Sequence, residues 1–440
     1  MLPWNKKGDM ALGRLRVLLT SDRIRKEFRT DDRAFTRVRK LPFPYVVVLL
    51  ISGWKMSLPN KVNRFFHRLG RLKGRPTPSA FSRARRKVKP ELFRRMNQEM
   101  VACLLENYAP FVRRWKGKLL WAVDATVVNM PDTPETRARY TVQTNQHHHK
   151  GAVQGMASFL YDVLNEVTIN SVLDGKRSEK SFVLWEHSAY LTSEAVVLYD
   201  RLYADYAVMA LHTKLGTDFV IRAPTSHTFN EVERFVRSQE ADAVVTLKVT
   251  LKQKRWVEEL GLSPAIQVRL VKVGLEDGTV EILMTSLFDR GMYPAGDFKG
   301  LYEKRWGIET YFDRLKNLLE VERFSSGKVV GIEQDFYGIV FVSTLASVVC
   351  KEEDEAARRS RERGLKYAYK VNRSVCYAAV VDQVLELILD ERKSVEEAEA
   401  ELKLMLRGMW IPERPGRRNE RRTTNSDRLN FQRYRKRIWA

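Results

Sequence analysis

The sequence predicts an α/β protein whose sheet-forming middle is flanked by basic helical ends. Three observations carry the prediction. Near residue 118 the apolar pattern changes from helical to strand-like, strands and helices then alternate to about residue 224, and beyond the loop GMYPAGDFKG the pattern is helical again.

The 440 residues are enough for two to four domains, and a hydrophobic content of 44% supplies their cores. A net charge of +23 repels itself and calls for a polyanionic partner. Nucleic acid fits better than an acidic membrane, because the basic residues do not lie beside a spanning or interfacial apolar helix. The runs YVVVLLISGW and FYGIVFVSTLASVVC are short for a bilayer and read as buried helices, and the first residues lack a signal-peptide pattern. Cys103, Cys350 and Cys376 are widely spaced with no CxxC, which argues against a disulfide framework or zinc knuckle and fits a reducing cytoplasm.

Residues 1–110 are expected to form a basic helical domain. Between Lys61 and Arg95 thirteen Lys or Arg face one acid, Glu91. Ser57 and Gly70 bracket one predicted helix; Thr77 as N-cap and Pro78 at the first helical position open the next. That second helix carries Arg83, Arg85, Arg86 and Lys87, either as a helix-turn-helix reader of DNA or as part of a basic bundle touching phosphates. Residues 111–350 form the expected catalytic domain. KLLWAVDATVVNM, AVQGMASFLYDV and EVTINSVLD read as successive strands, followed by a helix, the strand AVVLYD, a helix and the strand DFVIRAP. Residues 225–292 read as a strand-rich insertion. From 351 on the chain is helical: KEEDEAARRSRERG as a solvated connector, then a helix opened by the capping-box pair Ser394 and Glu397, then a basic tail with Phe431, Tyr434 and Trp439.

Asp124 sits inside an apolar strand, where an unpaired charge is expensive, and Asp200 ends another, where α/β folds collect functional groups. Glu309 is the third acid. In YEKRWGIETYFDRLK, read as one helix at about 100° per residue, Tyr302, Arg305, Glu309 and Lys316 share a stripe of about 60°. Trp306 flanks the stripe, and Ile308, Tyr311, Leu315 and Leu318 form the apolar back. Metal-dependent cleavage of a phosphodiester needs carboxylates that meet in space beside a polyanion, and these three acids are the candidates. The triple His147, His148 and His149 is expected in a surface or DNA-side loop, since neighbouring strand residues point to opposite faces. Asp132 is expected in a turn.

The order Asp124, Asp200, Glu309 and the spacing of Tyr302, Arg305, Glu309 and Lys316 resemble the Tyr-Arg-Glu-Lys signature of DDE transposases of the insertion-sequence-four family. AVDATVVNMPD resembles the family's first-acid strand and LYDRLYADY with GTDFVIRAP its second-acid segment. Arg201-Leu202 stand where the family often has a small residue, and Asp205 is the alternative second acid. The resemblance implies an RNase H-like core interrupted by a β-rich insertion, with helical domains on either side, working on double-stranded DNA as a homodimer. It implies that Asp124, Asp200 and Glu309 ligate two Mg²⁺ or Mn²⁺ ions, that Arg305 and Lys316 hold phosphate, and that Tyr302 hydrogen-bonds it. Trp306 would stack on a distorted base or pack in the core. A nuclease without strand transfer and a DNA-binding protein with an unused site are the competing classes.

Overall fold

Strand β1 (Leu119–Asn129) begins with five buried apolar residues, as a strand covered on both faces must. Around it the computed structural model describes residues 10–413, except 38, 53–54, 146–147, 176, 225–228, 252, 277, 360–363, 365 and 390–392. The basic tail with Phe431, Tyr434 and Trp439, and His147, lie outside the described residues. The chain divides into two units, one of residues 113–127 and 156–313, the other of residues up to 112, 128–155 and from 314 on.

The first unit is built on a sheet. Strands β3 (His148–Asp162) and β4 (Val167–Asp174) pair antiparallel, from Met156↔Asp174 to Asp162↔Val167. β3 adjoins β1, β1 runs parallel to β5 (Ala195–Tyr199), and β5 runs parallel to β6 (Asp218–Arg222). The helix Tyr206–Leu215 connects β5 to β6; the Asp205 side chain caps its first turn, and Gly216, in the left-handed region at φ 68°, closes it. The expected insertion turns out to extend the same sheet. β7 (Asp242–Lys248), β8 (Ala265–Gly274) and β9 (Val280–Thr285) are antiparallel neighbours, and β9 pairs with the free edge of β6. An unpaired edge would leave a row of backbone donors and acceptors open, and β9 satisfies it. Fully buried Arg269 ties this extension to the loop after β9 and to the helix beyond that loop. It binds the Asp242 carboxylate at 2.6 and 3.0 Å, donates to the Leu287 and Tyr293 carbonyls, and sits 5.2 Å from the Phe298 ring.

The second unit is mainly helical. Its central helix, Val329–Val349, packs against Glu91–Asn107 and Phe43–Ile51. At 21 residues it is longer than its apolar run suggested, long and apolar enough to cross a membrane, yet it is mostly buried inside the protein, in keeping with the buried-helix reading. It belongs with the helices of both chain ends, so the expected boundaries at 110 and 350 differ from the observed grouping. Among the elements that escaped the sequence reading are the helix Pro134–Arg139, opened by a box of Thr133 and Thr136 without the acidic partner that usually marks one, β2 (Thr141–Asn145), which pairs with the start of β3, and a two-stranded ribbon after residue 351, where the chain was read as helical. His148 and His149 are strand residues of β3, not loop residues. Asp132, expected in a turn, lies in the irregular segment before the Pro134–Arg139 helix and binds Arg137 at 2.6 Å.

Three buried features of this unit depart from expectation. Arg85 does not share the solvent face of its helix (Pro78–Arg85) with Arg83; it is 5% exposed, while Arg83, Arg86 and Lys87 are exposed. Its guanidinium meets Asp335 and Gln334 at 3.0 and 2.9 Å, and also Ser325 and the Gly331 carbonyl, so we remove it from the DNA-facing set. The supposed solvated connector buries Asp354, which pairs with Arg373 at 2.6 Å and accepts from the Val371 N–H of the small ribbon β10 (Ala368–Val371) and β11 (Trp410–Glu413). Cys350 and Cys376, buried, form a disulfide, contrary to the reading of their spacing. Their separation of 26 in sequence hid a pairing made by two packed helices.

Burial alone would raise the Asp335 carboxyl, but the charges of Arg85 and Lys61 and the bonds from Ser325 outweigh it and hold it below the ordinary carboxylate range. A depressed carboxylate adds stability that is present above the unfolded value, near 4, and is lost as pH falls through the folded one. Asp335→Ala leaves Arg85 buried without its counter-ion and should destabilise by about 3–5 kcal/mol at pH 7. The urea midpoint should fall accordingly, with the gap to wild type shrinking below about pH 4; equal midpoints at pH 7 would refute the assignment.

Candidate active site

The parallel pairing of β1 and β5 runs from Leu119↔Ala195 to Ala122↔Leu198. Continued by two residues, the same register sets Asp124 opposite Asp200, where the buried strand segments give way to half-buried positions. Asp124 accepts from the Ala125 N–H at 2.8 Å. Asp200 caps the turn Arg201–Tyr203 through the Leu202 N–H at 2.7 Å. Asp205, the alternative second acid, is a helix cap: it accepts from the Ala207 N–H, from Gln253 at 2.9 Å and from Lys180 at 3.3 Å.

The segment carrying Glu309 differs from the single helix expected. It comprises the helix Asp297–Glu303, a turn at Lys304 and Arg305, the helix Trp306–Asp313 and a π-helical stretch Arg314–Leu318. Ile308, Tyr311 and Leu315 are buried as predicted, but Leu318 is 41% exposed, because the wider π turn shifts the phase. The back is pinned by Tyr311, which stacks on Tyr161 at 4.3 Å and accepts from Thr168 at 2.9 Å. On the front, buried Arg305 donates to Glu309 at 3.0 Å and lies 3.7 Å from Asp124. Tyr302 donates to the carbonyl of Tyr199, the residue before Asp200, at 3.2 Å. Trp306 is 58% exposed, 5.3 Å from the Arg305 guanidinium, and so is not a core residue. Lys316 lies in the π stretch, within the helical unit.

Burial raises the Asp124 carboxyl, the Ala125 N–H opposes it, the like charges of Asp200 and Glu179 add to it and Arg305 relieves it; the result is about 7. Burial also pushes the Tyr302 phenol up to about 12, keeping it a neutral donor. Two members of this neighbourhood were missed in the sequence. Glu179 opens the short helix Glu179–Phe182 and Tyr203 follows Asp200 by three residues; neither stands in a spacing that marks it in sequence.

Among the described residues no three His, Cys, Asp or Glu side chains are grouped closely enough to hold a metal ion. The donor chemistry nonetheless fits a hard divalent cation. Asp124 and Asp200 bring only carboxylate oxygens, on adjacent strands, and at desolvated Asp124 the repulsion from Asp200 is countered by the Ala125 N–H and by Arg305.

A sheet that sets an acid inside β1 opposite one just past the end of the parallel β5, with Arg305 in a turn pairing to Glu309 on the next helix, is the frame in which the family comparison falls. The Transposase DDE domain family matches residues 115–345, more than half of the chain, and the chain belongs to that family. It is a transposase enzyme. It is similar to the transposase InsG for insertion sequence element IS4 of Escherichia coli (strain K12), 26% identical over 320 residues, 70% of each chain. Among solved structures, a piggyBac transposase synaptic complex with hairpin DNA aligns over 93% of this chain and 87% of its own, at 10% identity and a TM-score of 0.45.

Because the folded Asp124 carboxyl sits at about 7, it keeps its proton where the unfolded one has ionised. Stability is therefore lost as pH rises from about 4 to about 7 and stays lost above. In chelator, Asp124→Asn should melt at least about 2 °C above wild type at pH 8, and at the same temperature near pH 4. A gap that is equal at both pH values would show that the carboxyl is not perturbed in this way.

Proposed function

We propose that the protein binds the terminal inverted repeats of an insertion sequence, cuts the DNA at the element ends and joins them to target DNA. The observation that carries the reading is the meeting of Asp124 with Asp200 across β1 and β5, with Arg305 joining Asp124 to Glu309. The strand order β4-β3-β1-β5-β6, with β1, β5 and β6 parallel and the outer pair antiparallel, supports an RNase H-like core. The similarity to an insertion-sequence transposase supports the substrate.

In this reading Asp124, Asp200 and Glu309 would hold two Mg²⁺ or Mn²⁺ ions, which would supply activation of an attacking oxygen and stabilisation of the leaving one. The chain's own groups do the rest. The Arg305 guanidinium holds a phosphate, and Tyr302, tied to the backbone beside Asp200, orients the segment that carries Arg305. Lys316, in the helical unit, supplies a phosphate contact of its own. Trp306, exposed beside Arg305, offers a ring face on which an unstacked base can rest. Arg83, Arg86 and Lys87 contact duplex backbone, so binding weakens steeply with salt. The active form is a homodimer on DNA in the bacterial cytoplasm.

The test is incubation of purified protein with Mg²⁺ and a fragment carrying the element ends, with products separated on a denaturing gel. Wild type should give end-specific nicks and then joined products. Asp124→Ala, Asp200→Ala and Glu309→Ala should each lose at least about 10³-fold in cleavage while still binding the fragment; a variant that still cuts removes its residue from the site. Nicks without joining would favour a nuclease, and binding without cleavage in wild type a DNA-binding role.

A further inference from the structure

Tyr203 is completely buried, three residues after Asp200, and packs on Tyr199 with ring centroids 5.3 Å apart. Its hydroxyl is directed at the Glu179 carboxylate, a contact too long or bent to count as a full hydrogen bond, and the charges that bear on it are those of Glu179, Asp124 and Asp200. The turn that carries Tyr203 packs against the short helix opened by Glu179. A phenylalanine would fill the same volume without a polar atom to satisfy, and a glutamine at 179 would avoid the repulsion from Asp200. Both residues thus bring polar groups to a place where carboxylates already crowd. With Asp124, Asp200 and Glu309, Glu179 makes four acids against the guanidinium of Arg305, a surplus of negative charge inside a chain of net charge +23.

We propose that Glu179 and Tyr203 are positioning residues for divalent-cation binding at Asp124 and Asp200. Glu179 adds negative charge behind the pair, which raises the site's attraction for a cation, and the Tyr203 hydroxyl donates to a carboxylate of the cluster and fixes its orientation. This rests on the reading of Asp124 and Asp200 as metal-binding acids. Partners behind metal-binding groups commonly change affinity 10–100-fold, so the effect is measurable without any DNA reaction.

The experiment is titration of the full chain with Mn²⁺, free ion being followed by electron paramagnetic resonance, alongside thermal unfolding in chelator. Glu179→Gln and Tyr203→Phe should each weaken Mn²⁺ binding about 10-fold, Glu179→Asp should recover part of the loss, and Asp200→Asn should remove binding. Wild-type Mn²⁺ affinity in both Glu179→Gln and Tyr203→Phe, with binding lost in Asp200→Asn, overturns the proposal and leaves the acid pair standing. A lower melting temperature with unchanged affinity makes the two residues structural only and overturns it as well. If Asp200→Asn binds Mn²⁺ as wild type does, the reading of the acid pair itself has failed.

Discussion

The parallel pairing of β1 with β5 is the constraint on which the site depends. Its register brings Asp124 beside Asp200 from residues 76 positions apart, and a slip of one residue would turn either acid to the opposite face of the sheet. Such a slip is opposed by the apolar residues on both strands: Leu119 to Val123 and all of Ala195 to Tyr199 are buried. The same β5 carries the Tyr199 carbonyl that receives the Tyr302 hydroxyl, so the strand that orients Asp200 also anchors the segment bearing Arg305 and Glu309.

Around that register the electrostatics are unusual for so basic a protein. Arg305, with its Nε buried and unpartnered, stands between Asp124 and Glu309, near both the Tyr302 and Trp306 rings. A guanidinium so placed offsets the charge of both carboxylates. The break at Lys304 and Arg305 sets Arg305 in a turn and not in a regular helical stack.

Several other charges serve the fold instead. Arg85 with Asp335, Arg373 with Asp354 and Arg269 with Asp242 are buried pairs that fix helix and strand contacts, each guanidinium almost fully enclosed. Breaking such pairs is expensive because one charge would be left without its partner. They also show why counting basic residues overstates the surface that meets DNA: among Arg83, Arg85, Arg86 and Lys87 the buried one cannot be told from its neighbours by composition.

Local pattern was enough for much of the architecture. Alternation and apolar runs located β1, β3 to β9 and the helix after Asp205, and the capping residues Thr77 and Ser394 act as read. The i,i+4 pair of Arg305 and Glu309 followed from helical spacing, as did the buried back of Ile308, Tyr311 and Leu315. Features made by residues distant in sequence were not legible: the continuation of the sheet through β9 on β6, the Cys350–Cys376 bond, the internal place of Arg85, and the approach of Glu179 and Tyr203 to the acids. A sequence determines periodicity and capping because these depend on neighbours within a few residues. Which strand edges meet, which charges are buried together and which acids share one pocket of low dielectric are decided by tertiary packing, since only there do separated segments exclude water from one another.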